Sequence, residues 1–419
     1  MFPRLSPNYK ISDVFSALLP ARNNAVRYLE TAFQERTRHA HAHAFRYGRS
    51  GLYYLLKALN TEKQYVLMPS YSCVVVAHAI VEAGFTPIFL DNATGSFQPD
   101  IQGYIETIKQ RGDEIAMVIP TQLFGITENT KPLYDFIKAE HPHIFILQDC
   151  AHGFFCEDDN GVITTRYADG ALFGMNISKL ANSVKGGMLT LNDKNISKRV
   201  SKLYTQDCYD STLKQSLTAR LYVIAAFLAF HPWLYYIIYF LQKRTKLLSA
   251  QTDYYHEDTI NLPDDYNGTM SAFEGEVGLS SLRNYNARIA VRQNIALAYD
   301  EVLKPYKDQG LLNYADYRQG YSWSHYPVIC QPTALKHYLI ETLEDNGFEI
   351  GEIVDYSIAD MACYQKRGHT SCPNALHTAE HVINLPMTLG ENIINTPSYK
   401  NKLGKFIKSF EDAMRDFKA

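Results

Sequence analysis

Between residues 65 and 147, short apolar runs alternate with amphipathic stretches at regular spacing. Few folds accept that pattern. Strands are expected at 65–68, 86–90, 116–119 and 144–147, and helices at 72–83 (closed by Gly84), 100–109 and 131–140. Strands of about five residues separated by helices predict a parallel sheet covered by helices on both faces. Ligands of such sheets bind beyond the carboxyl ends of the strands. Gly48-Arg49, Pro69-Ser70-Tyr71, Asp149 and Lys179 all fall at or near such ends.

Lys179 stands in the polar loop NISKLANSVKGGM, between the apolar runs Ala171-Leu172-Phe173 and Met188-Leu189-Thr190-Leu191. Burying an ammonium is costly unless it is paired or chemically used. One use is a Schiff base with a carbonyl cofactor; the other reading is a solvated loop lysine. Asp149 ends the apolar strand IFIL in the sequence QDCAHGF, with His152 three residues on. It reads either as a carboxylate paired with a buried cation or as a helix N-cap. Tyr47-Gly48-Arg49-Ser50-Gly51 opens a helix. Free backbone N–H groups there make an anion site to which Arg49 could add a phosphate contact, or the stretch is an ordinary helix start.

Several function classes are disfavoured. The net charge of -3 gives no electrostatic case for nucleic acid. Seven scattered cysteines without a CxxC pair suggest reduced thiols in a cytoplasmic protein, and the N-terminus lacks the pattern of a signal peptide. His39, His41 and His43 would share one face of a strand, but no carboxylate or cysteine cluster accompanies them, so no metal site is expected.

The order of the motifs resembles the DegT/StrS family of sugar aminotransferases, pyridoxal-phosphate enzymes of the aspartate aminotransferase fold. The matching pieces are the helix-opening Gly-Arg-Ser-Gly, MPSYSCVVVAHAIVEAGFTPIFLD, IPTQLFG, QDCAHG and ISK with a downstream GG. YNGTMSAFEGEVGLSSL and HVINLPMT continue the match, which spans about residues 20 to 410.

The resemblance implies a three-layer α/β large domain with a mostly parallel sheet (residues 1–268, with an apolar helical insertion at about 208–260). A smaller α+β domain (269–419) follows. It implies pyridoxal 5′-phosphate, with Lys179 as the Schiff-base lysine that also moves the proton, Asp149 on the ring nitrogen and His152 near the phenolic oxygen. Gly48, Arg49 and Ser50 match the phosphate site, Tyr71 and Cys73 lie at the ring wall, and Asn267 matches an asparagine reaching in from the neighbouring subunit of a homodimer. The implied reaction moves an amino group from glutamate to a keto sugar nucleotide in amino-sugar or surface-polysaccharide biosynthesis. The alternatives are a lipid-linked or non-sugar ketone, or a degenerate PLP-binding regulator.

The chain departs from the family pattern at several positions. Gly174 stands where the family often has a phosphate-binding serine, Cys73 where an aromatic residue stacks on the ring, and Thr269 where an arginine is usual. The loop after Lys179 is one residue short. Lys185, the rival lysine, replaces an acidic residue before GG. A branch with histidine in place of the lysine performs dehydration, and Lys179 argues against that branch.

The most apolar stretch, 221–241, is long enough to span a bilayer, with Arg220 before it and Lys243, Arg244 and Lys246 after it. A full crossing would separate Asn267 from Lys179. His231-Pro232 breaks the run, suggesting two short helices that either dip into the cytoplasmic leaflet or pack on the body. Beyond it, one or two helices are expected over 270–303, strands at 324–330 and 348–354, and helices at 333–345 and 402–417. Loops near His325 or Tyr356 would help shape an acceptor site.

Overall fold

The computed structural model of the chain describes all residues except 1, 5, 6, 8, 232–233, 237–238, 240–257, 389–396 and 418–419. Helices α1 (Ile11–Leu18) and α2 (Ala25–Thr37) lead into strand β1 (His41–Phe45). Helix α3 (Gly48–Leu59) and strand β2 (Tyr65–Pro69) come next. Then α4 (Val74–Glu82), β3 (Thr86–Leu90), α5 (Ile101–Arg111), β4 (Ile115–Val118), α6 (Lys131–Glu140) and β5 (Phe145–Asp149) alternate. Every element expected in this region is present, its ends displaced by no more than the two residues by which such limits normally vary.

With β6 (Gly170–Gly174) and β7 (Gly187–Leu191) these strands form a seven-stranded sheet of order β1-β7-β6-β5-β4-β2-β3. The pairs from β3 to β6 are parallel, and β7 runs antiparallel to β6 and β1. Leu67, Val118 and Ile146 face a core with Tyr104, Ile108, Leu133 and Ile137 of α5 and α6. Val66, Met68, Met117 and Leu147 face the opposite layer, against α3 and α4. Burial on both faces is why these strands read as continuous apolar runs rather than alternating ones.

The two apolar runs flanking Lys179 are β6 and β7, paired as Phe173–Met188 and Gly174–Gly187. The loop 175–186 therefore leaves and re-enters the sheet at one end. His39 lies outside β1, buried between Thr190 Oγ1 (2.8 Å) and the Thr165 carbonyl (2.9 Å), while His43 Nε2 meets Ser197 Oγ at 2.8 Å.

Helix α7 (Lys194–Asp207) precedes the insertion. Helix α8 (Leu213–Ala229) begins earlier than the apolar stretch suggested and packs one face on Tyr9, Ala17, Phe273 and Val277. Beyond the bend at His231, Tyr235 is buried and its hydroxyl bonds Glu349. Positions 232–233, 237–238 and 240–241 of the 221–241 stretch lie outside the described residues. Among those described, no helix is long and apolar enough to cross a membrane.

Helices α9 (Ala272–Arg283) and α10 (Tyr285–Asp308) follow. Glu274, buried, closes the α9 cap with Ser271, and Glu276 pairs with Arg22 at 3.0 Å. Strands β8 (Leu312–Asn313), β9 (Tyr326–Cys330) and β10 (Val382–Leu385) form an antiparallel sheet of order β10-β9-β8, flanked by helices Thr333–Asp345, Pro373–His381 and Pro397–Asp416. The strand expected at 348–354 does not form. Phe348 and Gly351 make only isolated bridges, to Phe2 and Asn384, and Val354 turns into the left-handed region at φ 58°. The place beside β9 is taken by Val382–Leu385, all four residues of which are buried.

Candidate active site

Three loops converge at the carboxyl ends of β4, β5 and β6. The loops after β4 and β5 are laced together: Asp149 N–H donates to Pro120 O, and Gln122 N–H to Asp149 O, both at 2.9 Å. This holds Asp149 at its strand end, where it is 2 % exposed. No helix follows it, so the N-cap reading does not apply. Ala151 N–H donates to its Oδ1 at 2.9 Å. Burial raises the carboxyl above its usual range, opposed by that hydrogen bond and by the charge of Lys179.

Lys179 is half-buried in the 175–186 loop, its N–H donating to Asn176 O at 3.0 Å. Desolvation lowers its ammonium below the ordinary lysine value, with Cys73 and Asp149 opposing. Among the described residues, no carboxylate lies within ion-pair distance of its Nζ. A lowered, unpaired amine is the more nucleophilic one at neutral pH. Lys185 is different: its Nζ meets Tyr47 Oη at 3.0 Å and Asp265 Oδ2 at 3.4 Å.

His152 is buried, and its Nδ1 accepts the Phe124 N–H at 3.2 Å, which leaves the proton of the neutral ring on Nε2. His325 arrives at the entry of β9. Its N–H donates to Phe124 O at 3.2 Å, and its ring lies 4.9 Å from that of His152. Phe124 thus holds the His152 ring and the His325 main chain from a left-handed backbone (φ 61°). Burial pushes both imidazoles well below the ordinary value, and the nearby Lys179 charge adds to it.

The α3 N-terminus is wedged against the end of β6. A Cβ on Gly48 would lie 3.1 Å from Phe173 O and 3.3 Å from Gly174 Cα, and one on Gly187 would lie 2.1 Å from Gly48 N. No side chain caps α3. Ser50 is fully buried, and its Oγ has no partner among the described residues. Arg49 lies over the Tyr47 ring at 5.2 Å. Cys73 is the N-cap residue of α4, and Val74 N–H donates to Tyr356 Oη at 3.1 Å. Tyr71 is buried and packs on Phe124.

Asn267 is not joined to this cluster in the single chain; its Nδ2 donates to Asp207 O at 3.0 Å. Sequence reasoning missed the network behind α3. Tyr47 Oη bonds Asp265 Oδ1 at 2.7 Å, and buried Arg46 joins Asp265 (3.3 Å) to Glu274 (2.7 Å). Only the nearness of Asp265 to Asn267 in the chain could have hinted at it.

The sequence matches the family model of the DegT/DnrJ/EryC1/StrS aminotransferases over residues 16–392. Among curated proteins it is 26% identical over 168 residues to a dTDP-4-amino-4,6-dideoxy-D-glucose transaminase of Shigella dysenteriae, covering 40% of this chain and 44% of that one. It is 24% identical over 185 residues to a GDP-perosamine synthase of Escherichia coli O157:H7, covering 44% and 49%. The chain thus spans less than half the length of these relatives. Among solved structures, Helicobacter pylori PseC, an aminotransferase involved in the biosynthesis of pseudoaminic acid, superposes with TM-score 0.71 at 17% identity. That match covers 98% of this chain and 99% of that one. Spr1654 of Streptococcus pneumoniae, in its PMP form, gives 0.73 at 15% identity over 99% and 100%. At such identity these structures speak for the fold.

Proposed function

The chain belongs to the DegT/DnrJ/EryC1/StrS aminotransferase family, and from that premise we propose that it is a pyridoxal 5′-phosphate-dependent aminotransferase carrying nitrogen from glutamate to a keto sugar nucleotide. The observation that carries this reading is that Lys179, a lysine with a lowered ammonium and no ion partner among the described residues, shares the strand-end cluster with the buried Asp149, whose charge it feels without forming an ion pair. The residues present fit the cofactor. Ser50 Oγ is an orphaned buried hydroxyl beside the uncapped N-terminus of α3, which suits a phosphate dianion.

When bound, the cofactor supplies an aldehyde that condenses with amines and a ring that accepts electrons from the substrate carbon. Lys179 would hold it covalently. Once released, its Nζ takes a proton from carbon and returns one, a task suited to an amine whose affinity for protons burial has lowered. Asp149 would hold the proton on the ring nitrogen, using the oxygen not engaged by Ala151. Gly48, Arg49 and Ser50 would bind the phosphate. His152, with its proton on Nε2, would lie near the cofactor's phenolic oxygen, and Tyr71 and Cys73 would form the wall at the start of α4. Asn267 would reach the phosphate of a partner subunit, making the enzyme a homodimer with shared sites.

Residues 1–268 would form the cofactor domain and 269–419 the smaller domain that brings His325 to the acceptor side. The relatives named for dTDP- and GDP-linked sugars support a nucleotide-linked acceptor in amino-sugar biosynthesis. The seven free thiols support a reducing, cytoplasmic compartment.

The near-visible absorption spectrum tests the reading. Protein loaded with pyridoxal phosphate should show the band of a lysine-linked cofactor, and glutamate should convert it to the pyridoxamine form. A band that ignores glutamate would move the reading to another donor. No band would sink it.

A further inference from the structure

Helix α8 is apolar on two opposite faces. Its inner face, Ala219, Val223 and Ala226, is buried against the body. On the far side Leu213, Leu217, Leu221 and Leu228 are 87%, 55%, 58% and 52% exposed, at spacings that keep them in one stripe. Helix α1 lies beside it and repeats the arrangement: Ala17 and Asp13 turn inward, while Ile11, Phe15 and Leu18 are each more than 60% exposed.

The two helices are held side by side. Arg220 of α8 donates to Ala17 O at 2.8 Å and Leu19 O at 2.6 Å, closing the C-terminus of α1, and its guanidinium lies 4.6 Å over the Phe273 ring. A body contact thus fixes the pair while leaving the leucines outside.

The two helices carry one acid between them. Helix α1 has one acid, Asp13, which is buried and accepts from Ser280 Oγ at 2.6 Å. Helix α8 has none, and the sequence holds no Asp or Glu between Asp210 and Asp253. Lys10 and Lys214 are exposed beside the stripes. A contact between protein copies has no reason to exclude acids over so long a stretch. An anionic leaflet repels every carboxylate and attracts each lysine.

We propose that the outer face of α1 and α8 docks on an anionic lipid surface, with the exposed leucines and Phe15 entering the headgroup boundary and Lys10 and Lys214 meeting the lipid phosphates. Both helices lie flat, the mode of an amphipathic interfacial helix. The enzyme would then work next to a membrane without crossing it.

The test is co-sedimentation of the full chain, loaded with cofactor, with vesicles of phosphatidylcholine alone or mixed with phosphatidylglycerol. Binding to the mixed vesicles, weakened by salt, is expected. The Phe15→Ser/Leu217→Ser/Leu221→Ser variant should lose more than about tenfold of it while keeping its cofactor band and melting temperature. Should that variant unfold, Leu213→Ser/Lys214→Gln, at two exposed positions of α8, is read the same way. Failure of the wild type to bind phosphatidylglycerol vesicles, or equal binding by the variants, overturns the proposal. So does a variant that changes only the sedimentation coefficient without vesicles, which would make the face a contact between copies.

Discussion

The rings of His152 and His325 lie 4.9 Å apart with their planes tilted by 45°, one following β5 and the other entering β9. Both are tied to the backbone of Phe124, and burial, then the charge of Lys179, keeps both neutral. Protonation is disfavoured in the folded site, so each ring stays neutral as pH falls through the ordinary imidazole value of about 6.5. We expect kcat/KM to show no loss from these rings between about pH 7 and 6. A limb near 6.5 that vanishes in His325→Gln would refute this. His152→Gln keeps an acceptor for Phe124 N–H and should retain activity within about tenfold. His152→Leu orphans that N–H and should lose on the order of a hundredfold.

Lys179 and Lys185 separate cleanly. Lys179→Ala should abolish the lysine-linked cofactor band, and borohydride should no longer fix cofactor to the chain. Lys185→Ala should keep the band, because that ammonium is engaged by Tyr47 and Asp265. Peptide mapping after reduction identifies the labelled lysine; label on Lys185 in the wild type would reverse the assignment.

Two glycines facing the α3 N-terminus should respond oppositely. A Cβ at 187 would lie 2.1 Å from Gly48 N, so Gly187→Ala must displace the helix start and should raise the cofactor dissociation constant at least about tenfold. A Cβ at 174 meets Lys179 Cε and Ala151 Cβ at 3.6 Å, ordinary contact. Gly174→Ser should fold and bind cofactor more tightly, by up to about tenfold, through an added hydroxyl. Fluorescence titration of the apoprotein reads both.

Arg46 and Glu274 pair at 2.7 Å with side chains 5% and 1% exposed. Arg46→Ala leaves a buried carboxylate without its cation and should cost about 3–5 kcal/mol of unfolding free energy, measured by urea unfolding. A loss below about 1 kcal/mol would refute this.

His78 is 3% exposed, and burial, with Arg49 adding to it, depresses its imidazole to about 4. Above about pH 6.5 both folded and unfolded chains hold it neutral. Between 6.5 and 4 only the unfolded chain gains the proton, so stability falls as pH falls through that window. His78→Met should remove this part of the slope, on the order of 3 kcal/mol over the window. Unfolding curves of both proteins from pH 7 to 4 check it; parallel losses would place the acid sensitivity elsewhere.

The elements from Tyr65 to Asp149 were legible because helix and strand periodicity is local, and a strand buried on both faces announces itself as an apolar run. Lys179 and Asp149 were legible for a related reason: a charge placed at the end of such a run stands out against it. The strand expected at 348–354 failed because two segments competed for the edge of β9, and only packing chose Val382–Leu385. Apolarity marked the insertion but not which face of α8 would be covered, since Val223 and Leu221 look alike until α1 and α9 take one side. The approach of the His325 ring to that of His152 has no sequence signal, and the joining of Tyr47 to Asp265 has none beyond the nearness of Asp265 to Asn267. Side chains so far apart in the chain meet only when the whole core has closed. The sequence by itself determined the alternating units and marked the candidate residues. The tertiary structure decided which of them share a dry site, because desolvation and hydrogen-bond geometry belong to the assembled fold.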